Sequence, residues 1–188
     1  MEELVERTTR LIERLREVEG AMREIDEAKR ELVSAFEDEL RIFDGHFKYS
    51  TKIVVPINRE VEATKLMKWL DYARRCEYGV DGAYRLERRG RLEKVMVESL
   101  RLDNEGVEVD ATLVYRNRWG DETAVNDYCK AYFRKSTKLG ALATMALLVE
   151  EEDMDELVER AREEAREVKE VAERLREVMA VVKVLLGR

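Results

Sequence analysis

EKVMVESLRLDNEGVEVDATLVY, residues 93–115, is the stretch on which the fold turns. Apolar and polar residues alternate before and after its centre, through Val95, Val97 and Leu100, then Val107, Val109, Ala111, Leu113 and Tyr115. Between the two runs lies Asp103-Asn104-Glu105-Gly106, a short Asx/Gly turn. Two strands of matching period closed by such a turn predict an antiparallel hairpin. A strand near 82–87, turned by Arg88-Arg89-Gly90, would extend it to a β-meander. Upstream, Ile53-Val54-Val55 predicts a short strand ended by Pro56, the only proline. Asn58 then predicts a helix cap, with Leu66, Leu70, Ala73 and Cys76 forming the apolar face and Gly79 and Gly82 the exit. Downstream, 123–138 reads as helix, which would place Lys130, Arg134 and Lys138 on one stripe at i, i+4 and i+8. Residues 141–149 are continuously apolar and read as a buried strand, although Leu, Ala and Met also suit a helix.

The flanks carry a different rhythm. Leu4, Thr8, Leu11, Leu15, Val18, Met22, Ile25, Lys29, Leu32 and Phe36 are spaced alternately by four and three. So are Met154, Val158, Ala161, Ala165, Val168, Ala172, Leu175, Met179, Val182 and Leu186. Both are coiled-coil seams. An antiparallel register in which paired residue numbers sum to 190 matches every step, with Leu4 facing Leu186 and Phe36 facing Met154. The expected fold class is therefore α+β: an antiparallel coiled-coil hairpin, arms at 1–45 and 151–188, carrying a small α+β tip domain at 46–150 with an antiparallel meander.

Charge divides the chain at the same places. Residues 1–45 hold 8 Lys/Arg against 14 Asp/Glu, 46–150 hold 19 against 16, and 151–188 hold 8 against 12, so only the middle is positive. Charged residues make up 41% of the chain, and no apolar run approaches the ~18 residues of a membrane span. The acidic start Met1-Glu2-Glu3 is unlike a signal peptide, and the expected setting is the cytoplasm. Cys76 and Cys129 are too isolated for a metal site or a disulfide framework and read as small buried residues. Glutamine is absent while Glu, Arg and Val abound, a bias expected of a thermophile.

Motifs for chemistry are few. The sequence has no glycine-rich phosphate cradle, and its single histidine, His46, lies at a junction after Asp44-Gly45. No catalytic residue, metal ligand or cofactor site is expected. Glu98, Asp110 and Asp127 with Lys130 loosely resemble the acids and lysine of restriction-endonuclease-like, metal-dependent nucleases, but the acid-x-Lys spacing has one residue too many. The basic residues make the better case: Arg88, Arg89 and Arg91 around one turn, Arg116 and Arg118 with Trp119 at the end of the hairpin, and the stripe of Lys130, Arg134 and Lys138. Converging on one face, they would neutralise DNA phosphates without reading sequence, while Trp119 or Tyr128 stacks.

An arm, a globular insert and a returning arm, with Gly79-Val80-Asp81-Gly82 in the insert, resemble the hinge region of SMC-type chromosome-organising proteins. That resemblance implies a mechanical module: a homodimer formed through the tip, DNA passing the positive face, and association with the nucleoid. A prefoldin-like chaperone, with helical tentacles holding clients, is the alternative of a different class.

Overall fold

The computed structural model describes residues 2–36, 51–63 and 91–185. Within them the chain forms α1 (Glu2–Phe36), β1 (Ile53–Glu62), β2 (Arg91–Leu102), β3 (Gly106–Arg116), β4 (Glu122–Tyr132), α2 (Leu139–Leu148) and α3 (Glu151–Leu185). It is an α+β fold of three helices and one four-stranded sheet, ordered β1-β2-β3-β4 and antiparallel throughout.

The central hairpin forms at the expected turn. Leu102 pairs with Val107, and the Asp103 carboxylate accepts the backbone N–H of Glu105 at 2.7 Å and of Gly106 at 3.0 Å. The Asx turn thereby satisfies its own amides, which is why Asp suits this position. Val95, Val97, Leu100, Val107, Val109, Ala111 and Tyr115 are buried. These are the apolar members of the alternation apart from Leu113, which is half-buried, so the periodicity identifies the inner face of the sheet.

Three other elements differ from expectation. Strand β1 does not stop at Pro56 but runs on to Glu62, with a register shift between Pro56 and Arg59 and Asn58 in the left-handed region at φ 50°. An edge strand tolerates the missing N–H of proline, and Asn accepts the left-handed conformation better than most residues, so Asn58 turns an irregularity rather than capping a helix. The segment read as helix at 123–138 is largely strand β4, which pairs residue by residue with β3 from Arg116↔Glu122 to Gly106↔Tyr132. Its start is set by Asn117, whose side chain accepts the N–H of Trp119 at 2.8 Å and of Asp121 at 2.9 Å, with Gly120 at φ +90°. The apolar run at 141–149 is not a strand: α2 occupies 139–148, burying Ala143, Met145, Ala146, Leu147 and Leu148, as a helix covered on several sides must. The expected strand at 82–87, the helix face at 66–76, His46 and Cys76 lie outside the described residues.

The two long helices bury the faces that their spacing marks. Leu4, Thr8, Leu11, Val18, Met22 and Ile25 are buried on α1, with Leu15 and Leu32 half-buried. On α3, Met154, Val158, Ala161, Ala165, Val168 and Ala172 are buried, with Leu175, Met179 and Val182 half-buried. Their relative direction, however, is opposite to the hairpin. Arg10 bonds Glu151 at 2.7 Å, Arg14 bonds Asp155 at 3.0 Å, and Glu31 meets Arg176 at 3.5 Å, so both numbers rise together. The register summing to 190 would instead oppose Arg14 to Arg176. Strand β1 gives an independent check: Arg59 reaches Asp153 while Arg160 donates to the Val54 carbonyl, so β1 is antiparallel to α3. Its start lies beside the far half of α1, where Lys29 bonds Thr51. Helices α1 and α3 are therefore parallel neighbours.

A single buried cluster joins Leu4, Val18 and Ile25 to Val97, Leu100 and Val109 and to Met145, Leu157 and Ala161. It runs through residues of all three segments that the charge pattern separates. Spin labels at positions 15 and 175 test the parallel arrangement. At 1.5 Å per residue they should lie roughly 25–30 Å apart, and a separation near 10 Å, the spacing of adjacent helices, would restore the antiparallel register.

Candidate functional site

The basic residues expected to form one DNA-binding face are placed at two ends of the sheet. Arg91 and Arg116 are register partners at one end, and Arg118 follows in the β3–β4 turn, its guanidinium 4.6 Å from the Trp119 ring centre. Lys130 lies at the other end, opposite Glu108, with Arg134 and Lys138 beyond the strand in the connection to α2. Eight steps of β3, from Glu108 to Arg116, separate Lys130 from the first group, roughly 27 Å at the rise of an extended strand. The helical stripe that was to align Lys130, Arg134 and Lys138 does not exist, because β4 is extended. Arg88 and Arg89 lie outside the described residues.

Several of these cations are already engaged. Arg116 bonds Glu93 at 2.6 Å and Glu122 at 3.0 Å, and these hydrogen bonds, Glu93 first, raise its pKa. Lys130 bonds Asp103 at 2.5 Å and approaches Glu105 at 3.6 Å. Burial alone would raise the Asp103 pKa and lower that of Lys130. The bond between them, with the two turn amides on Asp103, reverses both, so Asp103 titrates lower and Lys130 higher than usual. Lys130 is a clamp on the β2–β3 turn rather than an open phosphate contact.

The acids that suggested a nuclease are placed differently again. Glu98 accepts from the Thr112 hydroxyl at 2.5 Å, and Asp110 bonds Arg101 at 2.5 Å. Both belong to cross-strand rows on the polar side of the sheet, where such pairs stabilise the ladder. Asp127 pairs in register with Ala111. Among the described residues no cluster of three or more His, Cys, Asp or Glu is arranged to hold a metal ion. Cys129 is half-buried, its sulfur 3.2 Å from the Ala141 carbonyl.

What the structure exposes is apolar surface on the far half of α3. Val178, Val181, Val184 and Leu185 are 57%, 59%, 79% and 78% exposed, and Val171 is also exposed. Val171, Val178 and Leu185 are seven residues apart, with Val181 between the last two, one position behind the seam that faces α1. The helix thus carries two adjacent apolar stripes, and α1 covers only one. The signal was present in VMAVVKVLL, residues 178–186, which has more apolar residues than one seam can use. A single-seam reading assigns Met179 and Val182 and passes over their neighbours. In comparisons with known proteins, no family model, no curated protein and no solved structure matches this chain.

Proposed function

We propose that this chain is a non-catalytic structural module that joins copies of itself, and that the second stripe of α3 is one joining surface. The observation that carries the reading is the exposure of Val171, Val178, Val181, Val184 and Leu185 together on one helix. They present on the order of 500 Å² of surface, the size of the largest apolar patch on a typical monomer, which is often functional. An antiparallel pairing of two α3 helices about a two-fold axis at Val178 brings Val171 of each copy to Leu185 of the other. Such a self-complementary contact needs no residue that the chain lacks.

The chromosome-organising role drew its support from arms that enter and leave a tip in opposite directions. Parallel α1 and α3 withdraw that support, and from the chaperone reading as well. What carries over from the hinge resemblance is its general content, a mechanical module that links copies. DNA contact loses the convergent patch on which it rested, and two of the three acids of the nuclease reading are engaged, Glu98 by Thr112 and Asp110 by Arg101.

The test is self-association followed by light scattering across concentration. The wild-type chain should gain mass as concentration rises, and Val178→Glu with Val181→Glu should remove the α3 contribution without lowering the melting temperature of the dilute, unassociated chain, since both side chains are exposed. An unchanged mass profile for the double variant would overturn the reading.

A further inference from the structure

The two edges of the sheet are built differently. Strand β1 is blunted: it carries Pro56, a register shift after it, and Asn58 in the left-handed region. These are the devices by which natural sheets avoid pairing with another chain. Strand β4 has none of them. Its eleven residues contain neither Pro nor Gly, and its pairing with β3 is unbroken from Glu122 to Tyr132. Among the described residues it pairs with β3 alone, and Thr123, Ala124, Asn126 and Tyr128 are exposed.

The polarity of that edge follows from its end. The Tyr132 N–H is not used by β3 but donates to the Thr137 hydroxyl at 2.8 Å, whereas the Phe133 N–H turns back to the Glu105 carbonyl. Because backbone groups alternate sides along a strand, the amides of the even-numbered residues, among them Ala124 and Asn126, point to the open edge. Any two-fold pairing of β4 with itself must bring even residues opposite even residues.

We propose that β4 is a joining surface for a second copy of this chain, pairing antiparallel with its own mate about a two-fold axis at Asn126 to make one continuous eight-stranded sheet. In this register Glu122 lies opposite Lys130 of the other copy, twice over, Ala124 lies opposite Tyr128, and Asn126 meets Asn126. Opposite charges face each other, as favourable cross-strand pairs do, and the small Ala124 leaves room for Tyr128. Glu122 also holds Arg116, and Lys130, 12% exposed, keeps its bonds to Asp103 and Glu105, so each new pair adds the mate's carboxylate at the rim of an existing ion network rather than replacing the clamp on the turn. Shifting the axis by one residue, to Asp127, opposes aspartate to aspartate and Ala124 to Lys130. The proposal rests on the sheet and is independent of the α3 contact.

Two different two-fold contacts on one chain build assemblies larger than a dimer, closed where the two axes meet and open-ended where they do not. Light scattering on the full chain therefore separates them. Ala124→Pro removes an amide that points to the open edge and costs no bond to β3; Asn126→Lys, at an exposed position, sets two lysines face to face on the axis. Either variant should melt like the wild type at dilutions where neither associates, and at higher concentration stop at a dimer made by α3. Val178→Glu with Val181→Glu should stop at a dimer made by β4, and the combined variant should be a monomer. If Ala124→Pro alone is a monomer, the β4 contact stands and the α3 reading fails. If Ala124→Pro and Asn126→Lys both keep the wild-type mass, the β4 contact is overturned. The register has its own readout: Asn126→Cys, with Cys76 and Cys129 replaced by Ser, should oxidise to a covalent dimer, since directly opposed residues lie within disulfide reach. Absence of that crosslink in a chain that still dimerises would remove the axis from Asn126.

Discussion

Gly106→Ala should destabilise the protein by about 3 kcal/mol or more, an effect at the severe end for a one-methyl change. A Cβ at Gly106 would lie 1.8 Å from the Ala131 carbonyl oxygen, 2.8 Å from its carbon and 2.9 Å from the Tyr132 Cα. All three are backbone atoms, so no side chain can rotate away. Relief requires β3 to part from β4 or the β2–β3 turn to open. The turn resists: Asp103 accepts two amides through one carboxylate oxygen and Lys130 through the other, and the Asp103 N–H closes onto the Gly106 carbonyl at 3.0 Å. Because Asp103 titrates low and Lys130 high, the ion pair's contribution is full at neutral pH. It is lost as pH falls below the ordinary carboxylate value of about 3.9 toward that of folded Asp103, or rises past the usual lysine value of about 10.4 through that of folded Lys130. Urea unfolding should show the midpoint fall with an unchanged slope. Gly20→Ala is the control: nothing lies within 4 Å of a Cβ there, so the same added methyl should stabilise α1 by up to about 1 kcal/mol. Equal midpoints for Gly106→Ala and wild type would mean that the close approach at Ala131 is absent.

Arg59→Ala should cost about 2–3 kcal/mol, more than a surface ion pair is worth. Arg59 leaves β1 just after its irregular turn and reaches the α2–α3 junction, bonding Asp153 at 2.5 Å and the Leu148 carbonyl at 3.1 Å, with Glu150 at 3.6 Å. Its side chain is 27% exposed and that of Asp153 only 15%. Asp153 also accepts the Glu150 N–H at 2.8 Å, the reach-back of a carboxylate in the first turn to the residue that caps the helix. Removing the guanidinium leaves a largely buried carboxylate and a carbonyl short of a donor, which explains the size of the effect. Arg59→Lys should recover only part of it, because one ammonium cannot span the carboxylate and the Leu148 carbonyl together. Hydrogen exchange at 149–154 should rise in the Ala variant. A loss under about 0.5 kcal/mol would show that the clamp holds nothing.

The sequence was informative where one residue type leaves few choices. The Asp103–Gly106 turn and the strands beside it were legible, since alternation fixes the face and the Asx/Gly turn fixes the reversal. The buried faces of α1 and α3 were legible too, down to the half-covered Leu15 and Leu175. Their direction was not, because two seams of equal step match in either sense. Direction is set by the number of reversals between them. Among the described elements, six changes of sense separate α1 from α3, through β1, β2, β3, β4 and α2, and an even number returns the chain to its starting sense. Reading β4 as helix and α2 as strand hid that count. β4 reads as helix because Tyr128, Tyr132 and Phe133 beside regularly spaced Lys130, Arg134 and Lys138 satisfy a helical stripe, although the Asn117–Asp121 turn announces a second hairpin. The basic face failed with it: residues adjacent on a helix are strung along a strand and past its end. The uncovered α3 stripe lay outside any single-seam reading.

The shared direction of α1 and α3 also decides how the molecule bears load. A tug on Glu2 and Leu185 acts at opposite poles, along the axis of the contact. Every layer from Leu11 to Ala172 is then strained at once, in shear. Had the helices been arranged head to tail, the same tug would have met at one pole and peeled the layers apart singly, from the end inward.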